Sequence, residues 1–154
     1  MPRPTRIGVV MTGIAAVTGL LAGCDRPVPE VTLLAGNKVT QVTALKYCFD
    51  AGNRNCHQHD RPQTITVASA STILVDVPRS VARSHWLVSA FQLDASTGKK
   101  TALDGNGSAG LLHDTHSTRV SVPYGTGDYY LSVAQIEGTE QRGTWTVRVR
   151  VVPG

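Results

Sequence analysis

Thr144-Trp145-Thr146-Val147-Arg148-Val149-Arg150-Val151 is the stretch that decides the fold class. Trp145, Val147, Val149 and Val151 fall on one face of an extended chain, and Thr144, Thr146, Arg148 and Arg150 fall on the other. Side chains along a strand alternate between two sides, so this pattern marks a strand with one buried and one solvated face. A helix would scatter the same residues around its circumference.

The same period recurs upstream. Val31 and Leu33 flank Thr32, and Lys38 to Thr43 follows a Gly36-Asn37 turn. Ile65 and Val67 alternate with Thr64 and Thr66, and Ile73, Val75 and Val77 with Thr72 and Asp76. Trp86, Val88 and Ala90 share a face within His85 to Asp94; Val120 with Val122, then Tyr129, Leu131 and Val133, complete the set. About eight short strands with turn signals between them predict an antiparallel β-sandwich. Pro78 to Ser84 reads as one helical turn, and Ser96 to Thr115, rich in Gly and Ser, as a hairpin tip and a mobile loop.

The chain has 154 residues, enough for one ordinary domain, and 41% of them are hydrophobic, enough for a core. Only 17% are charged and the formal net charge is +4. Without Arg3 and Arg6, 13 basic residues face 11 acidic ones, which is far from the dense basic patch of a nucleic-acid binder.

Met1 to Arg6 carries two arginines and no acid, and an apolar run from Ile7 to Gly23 follows. The run ends in Leu21-Ala22-Gly23-Cys24, which matches the bacterial lipoprotein box. Small residues before the cysteine suit a narrow peptidase site, and the Cys24 thiol would carry a diacylglycerol. Two acyl chains are what a stable anchor requires. The expected division is residues 1–23 as lipoprotein signal peptide, 24–29 as acylated cysteine and tether, and 30–152 as one sandwich domain. The expected location is the extracytoplasmic face of the cell membrane, held there by lipid.

With Cys24 assigned to lipid, Cys48 and Cys56 remain as an even pair in an exported chain, where disulfides persist. Gly52 and the asparagines between them can make the turn a bridge needs. Cys56-His57-Gln58-His59 also packs three potential metal ligands into four positions, but export favours the disulfide.

Two further marks point to an immunoglobulin-like sandwich. Tyr124-Gly125-Thr126-Gly127-Asp128-Tyr129-Tyr130-Leu131 has the form of a turn leading into a strand with a tyrosine corner, and Trp86 stands where a core tryptophan would. The lipobox, Pro29-Glu30-Val31-Thr32, Tyr47-Cys48 with Cys56, Val77-Pro78-Arg79-Ser80-Val81 leading to Trp86, and Asp128-Tyr129-Tyr130-Leu131 occur in that order. Together they resemble an uncharacterised family of actinobacterial lipoproteins, a domain of unknown function, over about Val28 to Val152. The resemblance implies a surface-anchored, exported β-domain and transfers no catalytic residues.

Candidate chemistry is sparse. His57 and His59 would lie on one side of a strand, and loops could bring His113 and His116 near them; imidazoles suit Zn²⁺ or Cu²⁺, so these four form the alternative, metal-binding reading. Gly105-Asn106-Gly107-Ser108-Ala109-Gly110 formally matches a dinucleotide fingerprint, but no strand–helix unit surrounds it. Ser108, His113 and Asp114 could be drawn as a hydrolytic triad, a set that any serine-rich chain offers. Arg148 and Arg150 read as edge-strand charges that block aggregation, or as lining a binding face. The expectation is therefore a non-enzymatic envelope domain without a cofactor. Its partners would be the membrane, through the lipid, and an envelope protein or ligand, with no nucleic acid.

Overall fold

The computed structural model describes residues 26–154 apart from 51, 53, 95, 104–108 and 124. The expected signal peptide, Cys24 and Ser108 lie outside the described residues. In chain order the elements are β1 (Val31–Ala35), β2 (Lys38–Val42), β3 (Lys46–Cys48), β4 (Cys56–Gln58), β5 (Gln63–Ala68) and β6 (Thr72–Asp76). After the short helix α1 (Arg79–Ala82) come β7 (His85–Leu93), β8 (Lys100–Ala102), β9 (Ala109–Leu112), β10 (Ser117–Ser121), β11 (Gly127–Glu137) and β12 (Glu140–Val152). No helix among the described residues is long and apolar enough to cross a membrane.

Two sheets face each other. One has the order β10-β6-β1-β2. The other has the order β4-β3-β12-β11-β7-β8, with β5 also on β12 and β9 also on β7. The chain crosses between sheets from β2 to β3, β5 to β6, β6 to β7, β9 to β10 and β10 to β11, and the central order β7-β11-β12 is that of the three-stranded sheet of an immunoglobulin-like sandwich. The ladders are antiparallel except β5 on β12, which runs parallel over Gln63–Ala68 against Val147–Val152. The outer edge of the long β12 is thus shared: β3 takes its start at Gly143 and Thr144, and β5 takes its second half.

The alternation at 144–151 is realised as read. Trp145, Val147, Val149 and Val151 point inward and are buried, and Trp145 and Val147 meet Val31, Leu33 and Val42 from the opposite sheet. Trp145 docks the incoming chain, its indole N–H donating to the Pro29 carbonyl at 2.8 Å. The expected helical turn is α1, which buries Val81 and Ala82. It is tied to β11, opposite the bulge at Arg142 of β12, by Gln135, whose Nε2 donates to the Ser80 carbonyl at 3.3 Å and to Ser84 Oγ at 2.9 Å.

Four strands escape the periodicity. β3, β4 and β8 have three residues each and β9 has four, too short to display an alternation, so pairing with a longer neighbour defines them. β8 and β9 fall within the stretch 96–115 expected to be a hairpin tip and loop. Arg148 and Arg150 also need correcting: β12 is interior to its sheet, so they are not edge-strand charges.

The tyrosine corner is half realised. The Tyr129 ring is buried, but its hydroxyl has no hydrogen-bond partner among the described residues, where a corner would have it cap the backbone. Burial pushes the Tyr129 phenol up to about 12. The folded state therefore holds this proton more tightly than the unfolded one, and stability declines as pH rises from about 10 towards 12. We expect Tyr129→Phe to leave stability unchanged or to raise it by up to about 1 kcal/mol, because it removes an unpaired buried hydroxyl. It should also remove that alkaline loss. A cost above 1 kcal/mol in urea unfolding would restore the corner.

Candidate functional site

The features singled out in the sequence sort onto different parts of the sandwich. Cys48 and Cys56 face each other across the β3–β4 hairpin and are joined by a disulfide, S–S 2.07 Å. The loop between them is organised by Asp50, whose Oδ1 accepts from the N–H groups of Arg54 at 3.2 Å and Asn55 at 3.0 Å. Arg142 clamps it to β12, its Nε donating to the Cys48 carbonyl at 3.1 Å and its Nη2 to the Phe49 carbonyl at 2.7 Å. The Gly52 N–H donates to Glu140 Oε2 at 3.0 Å, and Arg142 also pairs with Glu137. The bridged loop is thereby fastened to the β11–β12 turn.

The four histidines of the metal-binding alternative are not brought together. His57 lies on β4 at one edge of the larger sheet, and its ring packs edge-on against Phe49 at 5.4 Å. His59 follows just after, beside Arg61 and Pro62. His113 follows β9 on the far side of β7, so β3, β12, β11 and β7 lie between the pairs. Five inter-strand steps amount to about 24 Å along the sheet. His113 stacks on His85, ring centroids 4.8 Å apart, while His116 Nδ1 lies 3.4 Å from the Val77 carbonyl. Among the described residues no three His, Cys, Asp or Glu side chains are grouped to hold a metal ion. The pairs lie apart because the distance between them is a property of strand order, which alternation does not encode.

Of the possible triad, His113 Nδ1 lies 3.2 Å from Asp114 Oδ2, and both side chains are well exposed. Asp114 takes the left-handed conformation, φ 50°, and its N–H donates to the Ala82 carbonyl at 2.9 Å, which fits a turn between β9 and β10.

The outer face of the three central strands is the more organised surface. Register places Arg148 beside Tyr130 and Tyr130 beside Phe91, whose rings stack with centroids 5.5 Å apart and planes 12° from parallel. The Lys100 ammonium sits 4.9 Å from the Phe91 centroid. Asp128 joins the two arginines: Arg148 Nε donates to its Oδ2 at 3.0 Å, and Arg150 Nε lies 3.4 Å from Oδ1. The hydrogen-bonding Arg148 guanidinium, with Arg150 behind it, holds the Asp128 carboxyl below its usual value. One row across the sheet thus runs cation, ring, ring, cation. Behind it the Ser132 and Thr146 hydroxyls pair at 3.0 Å. Sequence reasoning put the arginines on the outer face but missed Asp128, which the Asp128–Arg150 register brings opposite them.

No curated protein matches the chain. Among solved structures, the crystal structure of the PmoD soluble domain from Methylocystis sp. ATCC 49242 (Rockwell) is similar at a TM-score of 0.45 and 11% identity. That alignment covers 79% of this chain and 97% of the other. A family model matches residues 25–137, ending with β11. The chain belongs to the family described as "Protein of unknown function (DUF2771)".

Proposed function

We propose that the protein is an exported lipoprotein of the cell envelope, acylated on Cys24 and anchored to the extracytoplasmic face of the membrane. Its sandwich, residues 30–152, is a non-enzymatic binding or structural domain, and residues 1–23 are removed as the signal peptide. The actinobacterial lipoprotein resemblance belongs to the same reading. The observation that carries it is the pairing of a lipobox at Cys24 with a Cys48–Cys56 disulfide, a bridge that persists in oxidising compartments. The organised outer face with its Arg148–Tyr130–Phe91–Lys100 row supports recognition rather than catalysis.

Anchoring would orient the domain. Cys24 precedes Pro29 by five positions, and a chain that short spans at most about 18 Å. Pro29, held by Trp145, lies at the pole that carries the disulfide loop, so that pole would face the membrane. The Gly36–Asn37 turn, at the other end of β1, would point away.

Cys24→Ser should abolish acyl labelling and release the protein from the membrane fraction, because both acyl chains attach through that thiol. Acyl labelling that persists in this variant would overturn the reading.

A further inference from the structure

Each sheet of a sandwich ends in edge strands whose outward backbone groups need a partner or protection. On one side the two edges are β2, which has β1 on its inner side, and β5, which has β12 on its inner side. The two-residue Gly36-Asn37 turn makes Ala35 and Lys38 a hydrogen-bonded pair. By alternation Leu33 with Thr40 and Val31 with Val42 are the next such pairs, so Val39, Gln41 and Thr43 turn their N–H and C=O groups outward.

Part of that outward row is satisfied by a side chain. The Thr43 N–H donates to Gln63 Oε1 at 3.1 Å, and Gln63 Nε2 donates to the Gln41 carbonyl at 3.3 Å. The Gln63 carboxamide thus supplies the donor and acceptor that a peptide unit of an added strand would supply. Beyond it, Val39 has no hydrogen-bond partner on its outward side among the described residues, and its side chain is 65% exposed.

The gap between the edges continues past Gln63 as a crevice made of two adjoining spaces of about 220 Å³ and 240 Å³. Leu33 and Ile65 floor it, Thr40, Thr64 and Thr66 wall it, and Lys38 and the Gly36–Asn37 turn stand at its mouth. Lys38 is the charged residue of the lining, and among the described residues no acidic side chain lines it.

We propose that this crevice receives an extended polypeptide segment that adds as a strand to the free edge of β2 and sets a carboxylate against Lys38. Backbone groups beyond Gln63 supply its hydrogen bonds, small apolar side chains meet Leu33 and Ile65, and the uncompensated ammonium selects an acidic residue or a C-terminus. The inference rests on the reading of the sandwich as a binding domain and specifies its partner class. In the anchored orientation the mouth of the crevice faces away from the membrane.

The test uses the full chain in detergent, isotope-labelled for amide NMR, and a blocked hexapeptide of alternating threonine and valine with one glutamate. Two control peptides replace the glutamate with glutamine or carry N-methyl groups on alternate amides. We expect saturable shifts at Val39, Gln41 and Thr66 with the glutamate peptide, about tenfold weaker binding after Lys38→Glu or with the glutamine peptide, and none after N-methylation. The inference is overturned by absence of saturable shifts, by binding indifferent to N-methylation, or by β2 pairing with a second copy of the chain that excludes the peptide. Any of these would leave Cys24 acylation and partner capture through the outer face standing, so failure here is separable from failure of the binding-domain reading.

Discussion

Replacing Trp145 with alanine is expected to lower the stability of the domain by about 3–5 kcal/mol, the range for deleting a large buried aromatic. Trp145 is 1% exposed and reaches across the core to β1, with Val31 and Leu33 among its neighbours. Its ring lies directly over Gly143, where an added Cβ would stand 2.5 Å from Cη2, and it meets Tyr47 at 6.0 Å between centroids. The site is therefore walled by backbone and by another ring, and the cavity left by alanine can collapse only partly. The loss has a second part, because the Pro29 carbonyl would give up the indole donor that docks the entering chain. Trp145→Phe separates the two: it restores most of the apolar volume and leaves the carbonyl unpaired, so its cost should fall between wild type and alanine. Urea unfolding followed by far-UV circular dichroism reads both. A cost below about 1 kcal/mol for the alanine variant would mean that Trp145 is not a core residue.

Removing the bridge with Cys48→Ala and Cys56→Ala together should cost about 2–3 kcal/mol, the chain-entropy value for a loop this short. The two cysteines are eight positions apart, and Cys48 is fully buried. The fold should survive, because Asp50 and Arg142 still organise the loop through their own hydrogen bonds. A thiol reductant should therefore lower the urea midpoint of the wild type to that of the double variant and leave the double variant unmoved. If reduction leaves the wild-type midpoint where it was, the bridge contributes nothing to stability.

How much of this was legible in the sequence depends on strand length and on distance along the chain. β12, β7 and β11 announce themselves because thirteen, nine and eleven residues show an alternation plainly. β3 and β4 do not, since three residues carry no period and only the pairing of Cys48 with Cys56 and of Tyr47 with Gly143 makes them strands. The outward direction of Arg148 and Arg150 was readable, yet their interior position in the sheet was not. It depends on β3 and β5 arriving from about eighty or more residues upstream. The same holds for the histidines, because nothing local to His57 or His113 says that four strands separate them. The disulfide was legible because export chemistry, not geometry, predicts it. The tyrosine corner was legible only in its apolar half, since burial of a ring follows from alternation and the partner of a hydroxyl does not.

The proposed envelope lipoprotein, its domain closed by one disulfide, is tested most directly by the intact mass of the full-length gene product, extracted oxidised from its own membranes. The predicted species begins at Cys24, carries at least a diacylglycerol, and is two hydrogens lighter than its reduced form. A species that keeps residues 1–23, or that begins elsewhere with no lipid, would contradict the anchor, and two alkylatable thiols at Cys48 and Cys56 would contradict the bridge.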